Sequence, residues 1–178
     1  MRYQDIEKYT TWGSYHVDVA FSYLEAWIID NQDCLNLELN PDFQRGHVWD
    51  NVQRTKYVEH VLKGGNSGVD VFFNCPSWQN RHTTDYTDMV CVDGLQRITA
   101  IRKYMNNEIP VFGHSRVGMV GPLPLCARLS VYVNDLQTKA EVLKWYLDLN
   151  SGGVVHTEGE LNRVRAMLEE ETDGNKRF

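Results

Sequence analysis

Two short polar runs, Gln44-Arg45-Gly46 and Asp93-Gly94-Leu95-Gln96-Arg97, stand where strand-like stretches end and helical patterns begin. Anions collect at such places. A helix start leaves about four backbone N–H groups without intrahelical partners and carries about half a positive charge. Arginine completes the site, because its planar fork bonds phosphate oxygens in pairs, while a neighbouring aspartate can hold a divalent cation or orient a water. The two runs therefore read as halves of one nucleotide-phosphate site. Arg45 and Arg97 would clamp phosphate, and Gly94 would offer its backbone N–H because no Cβ intervenes. Asp93 would position metal or water, and Gln44 and Gln96 would orient phosphate or the attacking water. A third run, Asn150-Ser151-Gly152-Gly153, could present successive N–H groups as an anion nest. Each run also has an explanation without a ligand. Asp93 can be a plain N-cap, Arg45 can pair with a carboxylate, Trp49 can pack in the core, and Asn150 to Gly153 can simply stop a helix.

Helices are expected wherever a small polar N-cap is followed three residues later by Glu or Gln. The pairs are Ser22 with Glu25, Asp50 with Gln53, Asp93 with Gln96, Thr138 with Glu141, and Thr157 with Glu160. The second helix puts Val52, Val58, Val61 and Leu62 largely on one side and stops at Lys63-Gly64-Gly65. The third lines up Leu95, Ile98, Ile101 and Met105, which leaves Gln96 and Arg97 off the core face. Strands are expected over 35–39, 69–73, 89–92, 109–112 and 129–133. The alternation predicts an α+β fold, a small mixed sheet flanked by helices, in a single domain over residues 1–178 with a frayed tail over 169–178. Two connections, 74–88 and 113–128, exceed the usual loop length of about 4–6 residues and could serve as a lid, a partner surface or an insertion.

Composition narrows the function classes. The net charge of −6 weighs against broad, sequence-independent DNA binding, which depends on neutralising many phosphates with Lys and Arg. Nothing approaches the run of roughly 18 apolar residues that a membrane span needs, and the first residues lack the apolar stretch of a secretory signal. Cys34, Cys75, Cys91 and Cys126 are scattered without a C-x-x-C pair, which favours reduced, structural thiols and a cytoplasmic location. The six histidines show no H-x-x-x-H spacing, and no Walker A, G-x-G-x-x-G, G-x-S-x-G or H-E-x-x-H pattern occurs.

Three runs carry a family resemblance: Pro41-Asp42-Phe43-Gln44-Arg45-Gly46-His47-Val48-Trp49, then Val92-Asp93-Gly94-Leu95-Gln96-Arg97-Ile98-Thr99-Ala100, then Asn150-Ser151-Gly152-Gly153 through Glu160-Leu161. In this order they resemble the N-terminal domain of GmrSD-type restriction proteins, within the ParB/sulfiredoxin-like superfamily. The resemblance implies a compact domain that binds nucleoside triphosphate and hydrolyses it with Mg²⁺. Asp93, Gln96 and Arg97 would be the catalytic residues, with Asp93 on the metal. Gln44, Arg45, Gly94, Arg97, Thr99, Asn150, Ser151 and Gly152 would hold the nucleotide. The family's usual Asp-Gly-Gln-Gln-Arg is departed from at Leu95, which falls on the apolar stripe and reads as a packing substitution. It also implies a phage or mobile-element protein of defence or counter-defence, related to restriction systems and working alone or with a separate effector or host protein. Two other classes stay open: a DNA-binding or DNA-nicking ParB-like protein, and a catalytically silent protein that grips a partner through Trp78 or the 113–128 connection.

Overall fold

The computed structural model describes every residue except 1, 4, 5, 7, 11, 12, 45, 47, 79–87, 151–157 and 175–178. Its sheet is built from β1 (Tyr15–Ala20), β2 (Asp70–Asn74), β3 (Val90–Asp93) and β4 (Arg128–Asn134), in the order β1-β4-β2-β3. β2 runs parallel to β4, whereas β1 on β4 and β3 on β2 are antiparallel, so the sheet is mixed. The helices are α1 (Leu24–Leu35), α2 (Asn51–Leu62), α3 (Leu95–Met105), α4 (Lys139–Asn150) and α5 (Glu158–Gly174). This is a compact α+β fold.

Strand residues alternate between two faces, and each face builds its own core. Val71, Phe73, Cys91, Leu129, Val131 and Val133 point to the side covered by α1, α2 and α3, where Ile28, Val58, Val61, Ile98 and Ile101 are fully buried or nearly so. Val90 and Val92 point the other way and meet Val142, Leu143, Trp145 and Tyr146 of α4 and Val164 of α5. Fully burying such a side chain contributes about 1.5–3 kcal/mol, so both helical layers are held mainly by these contacts. At the ends of β2 and β4 the buried Asn74 substitutes for a ladder rung: its Nδ2 donates to Leu136 O at 3.0 Å and its Oδ1 accepts from Leu136 N at 2.8 Å.

Local signals succeed where both partners lie within one turn. The Asp50–Gln53 capping box forms in both directions, at 2.8 and 2.9 Å, and so does the Thr138–Glu141 box, at 3.2 and 3.0 Å. The Ser22–Glu25 box does not form: α1 starts at Leu24 without a side-chain cap, and Glu25 instead grips Arg102 with two bonds of 2.7 Å. Thr157, the cap expected for α5, lies outside the described residues. On α2 the expected apolar side is shorter than its pattern, since Val52 is 61% exposed.

The expected strand over 35–39 is a helix end followed by an edge contact. α1 runs to Leu35 and is stopped by Asn36 in the left-handed region, after which Glu38 makes a single parallel bridge to Val90. Glu38 N donates to Met89 O at 2.8 Å and its carbonyl accepts from Cys91 N at 2.9 Å, so the segment shields the outer edge of β3. The expected strand over 109–112 likewise reduces to one rung, Val111 with His114, closed by Phe112 and Gly113 at positive φ. Strand β1 carries no expectation from the pattern above, although Tyr15, Val17 and Val19 do alternate. The tail expected to fray from 169 stays helical through Gly174, where Met167 and Leu168 pack against the α4 layer and Lys139 Nζ stands 3.9 Å from Glu171.

Candidate functional site

The site lies where β3 ends and α3 begins. Gly94 is the N-cap of α3, with φ +122°, and it has no side chain with which to cap. The Asp93–Gln96 capping box is therefore not formed. A Cβ on Gly94 would come within 2.4 Å of Val71 Cγ1, so the glycine is required by the close approach of α3's start to β2. The missing Cβ faces the core, so packing against β2 by itself requires glycine here.

Asp93, not used as a cap, accepts from Arg97 Nη2 at 3.0 Å, one turn along. Arg97 Nη1 donates to the Asp70 carbonyl at the start of β2. These bonds take two of the five guanidinium donors. The pair is partly shielded from water, with 24% of the Arg97 side chain and 34% of Asp93 exposed, so its charges act at a lower effective dielectric than surface pairs. Tyr57 sits beside it, its hydroxyl donating to Gly68 O at 3.0 Å. Burial pushes the Tyr57 phenol well up; the Arg97 charge opposes that shift and the Asp70 charge adds to it. Burial also pushes the Cys91 thiol well up, with Asp93 adding and Arg97 and the Leu95 N–H opposing. Cys91 is thus held as a thiol, unsuited to nucleophilic work.

The first sequence run is stitched to this junction by two glutamines. Gln44 Nε2 donates to Cys91 O at 2.9 Å and to Val92 O at 3.0 Å, continuing the cover that Glu38 gives the β3 edge. Gln96 Oε1 accepts from both Val48 N and Trp49 N at 3.1 Å, and its Nε2 donates to Gly46 O. Both amides hold backbone, so they tie Gln44, Gly46, Val48 and Trp49 to the β3–α3 junction. Gln96→Ala is expected to destabilise the fold by about 1–2 kcal/mol and to speed amide exchange at Val48 and Trp49 selectively. Unchanged exchange at those two amides would show that Gln96 is not what holds the segment.

Arg45 lies outside the described residues; Gln44 is tied to β3 and Gly46 to the first turn of α3. Leu95 is buried, 4% exposed, as its place on the apolar stripe requires. Thr99 is one turn further along α3, its hydroxyl donating to Leu95 O at 2.7 Å. Asn150 ends α4 and turns its amide back onto Tyr146 O at 2.7 Å. Tyr146 in turn packs edge-on against Phe43, which places α4 next to the first run. Ser151 and Gly152 lie outside the described residues. Sequence reasoning missed Arg163 of α5, whose Nη2 donates to Gln44 O at 3.0 Å, and Asp70 and Tyr57, which hold and flank Arg97. No motif marks these three, since each acts through a neighbour remote in sequence.

Chemically, a half-buried guanidinium beside a helix start without a side-chain cap suits an anion. Among the described residues, no group of three His, Cys, Asp or Glu side chains could hold a metal ion, and no helix is long and apolar enough to cross a membrane. Comparison with known proteins finds no matching family model, no similar curated protein and no similar solved structure.

Proposed function

We propose that the chain binds a nucleoside triphosphate at the β3–α3 junction and hydrolyses it with Mg²⁺, as a ParB/sulfiredoxin-like domain of the type found at the N-terminus of GmrSD restriction proteins. The observation that carries this reading is the three-bond clamp of Gln96 on Gly46, Val48 and Trp49. It ties Gly46, Val48 and Trp49 to the first turn of α3, next in the chain to Asp93 and Arg97, which supports a shared place for the distant polar runs. Arg97 is the phosphate-binding group, with Arg45 contributing from the adjoining run, and the first N–H groups of α3 supply the remaining positive field. The donor set fits Mg²⁺ only as the nucleotide's own ion, because Asp93 is a single carboxylate; Mg²⁺ commonly takes one or two carboxylates together with phosphate oxygens and waters. Bound there, it would neutralise developing phosphate charge. The reading places the protein in the cytoplasm, where the unpaired Cys34, Cys75, Cys91 and Cys126 stay reduced, as a phage or mobile-element protein of defence or counter-defence.

Titration calorimetry with ATP, GTP, CTP and UTP, each with Mg²⁺, tests the proposal. At least one is expected to bind with Kd below about 100 μM, or about −5.5 kcal/mol. Phosphate release should accompany it and stop when the metal is chelated. Absence of binding by all four up to the millimolar range overturns the reading.

A further inference from the structure

A cavity of about 140 Å³ opens between the ends of α2 and α3 and the 112–124 loop. Its lining is mainly apolar, with Leu62, Phe112, Met119, Val120 and Leu123 among the residues that form it, and Arg116 is the one charged residue there. Its Nε is shut off from solvent and has no hydrogen-bond partner. A buried charged donor without an acceptor is costly, and in native structures such a group calls for an explanation. The arginine is also held in place. It opens the 3-10 turn Arg116–Gly118, which is capped by Ser115 Oγ accepting from Gly118 N at 3.3 Å and pinned by Val117 N donating to Asn107 Oδ1 at 2.9 Å. Lys63 adds a second cation, 5.2 Å from the centre of the Phe112 ring, while the Glu59 carboxylate nearby accepts from Phe112 N at 2.8 Å.

We propose that this cavity binds a small organic carboxylate with an aromatic or branched-alkyl body. The body fills the apolar space, which is close in size to an engineered cavity of about 150 Å³ that takes up benzene. The carboxylate meets the Nη groups of Arg116, which bond its two oxygens side by side. A neutral hydrocarbon would leave the guanidinium unmet, and an amine would bring a second cation beside Arg116. The cavity shares no residue with the nucleotide site, so the two readings stand or fall separately.

Amide NMR of the full chain, titrated with phenylacetate, benzylamine and toluene, tests the proposal. Phenylacetate is expected to shift Phe112, Met119 and Leu123 saturably and to bind about tenfold more tightly than benzylamine. Arg116→Gln should weaken phenylacetate about tenfold and leave toluene unchanged. Leu123→Trp, which fills the space, should abolish both. Arg116→Lys, which keeps the charge without the fork, should fall between wild type and Arg116→Gln and replaces that variant if it does not fold. Equal binding of phenylacetate and benzylamine, or shifts centred on the exposed Leu125 outside the cavity rather than on the cavity wall, would overturn the proposal.

Discussion

Replacing Gly94 by alanine is expected to lower the unfolding free energy by about 3–5 kcal/mol, a large part of the stability of a domain this size. Two effects add. The φ of +122° lies where side chains are strained by about 1–3 kcal/mol, and the new methyl would stand 2.4 Å from Val71 Cγ1 on a core strand, an overpacking that costs a further 1–3 kcal/mol or so. The added atom has nowhere to go, since Val71 is fully buried. Urea unfolding measures the loss. The double variant with Val71→Ala separates the terms: it removes the 2.4 Å contact with Cγ1 but keeps Val71 Cβ at 2.8 Å, so it should recover part of the steric cost and leave the backbone part, and the two substitutions together cost less than their sum. If Gly94→Ala lies within about 0.5 kcal/mol of wild type, the packing of α3 on β2 is not as described.

Arg97→Ala is expected to weaken nucleotide binding by about 30-fold or more, since hydrogen bonds to charged groups contribute about 1.5–3 kcal/mol each and a fork makes two. Its effect on stability should be small, about 1–2 kcal/mol, because the Asp93 pair is only half-buried and the Asp70 carbonyl remains within reach of water. Arg97→Lys keeps the charge but not the fork, and should retain the fold while recovering only part of the affinity. Calorimetry with the preferred nucleotide, paired with urea unfolding of each variant, distinguishes ligand binding from scaffolding. Affinity unchanged in a folded Arg97→Ala protein would reduce Arg97 to a strut between Asp70 and Asp93.

How far the sequence reaches depends on how far away a residue's partner is. The Asp50–Gln53 and Thr138–Glu141 boxes are legible because donor and acceptor sit three residues apart. Asp93 and Gln96 have the same spacing and form no box, because Gly94 takes the cap position, Arg97 takes the carboxylate and a loop some fifty residues upstream takes the amide. Glu25 is drawn from its cap in the same way by Arg102. The strand expected over 35–39 fails for a related reason. Its alternating leucines satisfy both a helix end and an edge segment, and only the position of β3 decides between them.

The amino-acid order alone determined the mixture of helix and strand, the apolar stripe that buries Leu95, Ile98 and Ile101, and the proximity in sequence of Asp93 and Arg97. These are written in periodicity and in contacts a few residues long, which every copy of the chain carries before it folds. Only the tertiary structure decided that Gln44 and Gln96 bind backbone, that Asp70, Tyr57 and Arg163 join the site, and that Gly94 is required by Val71. Those choices rest on long-range pairings, in which a polar group goes to whichever unmet donor or acceptor the packed layers leave beside it.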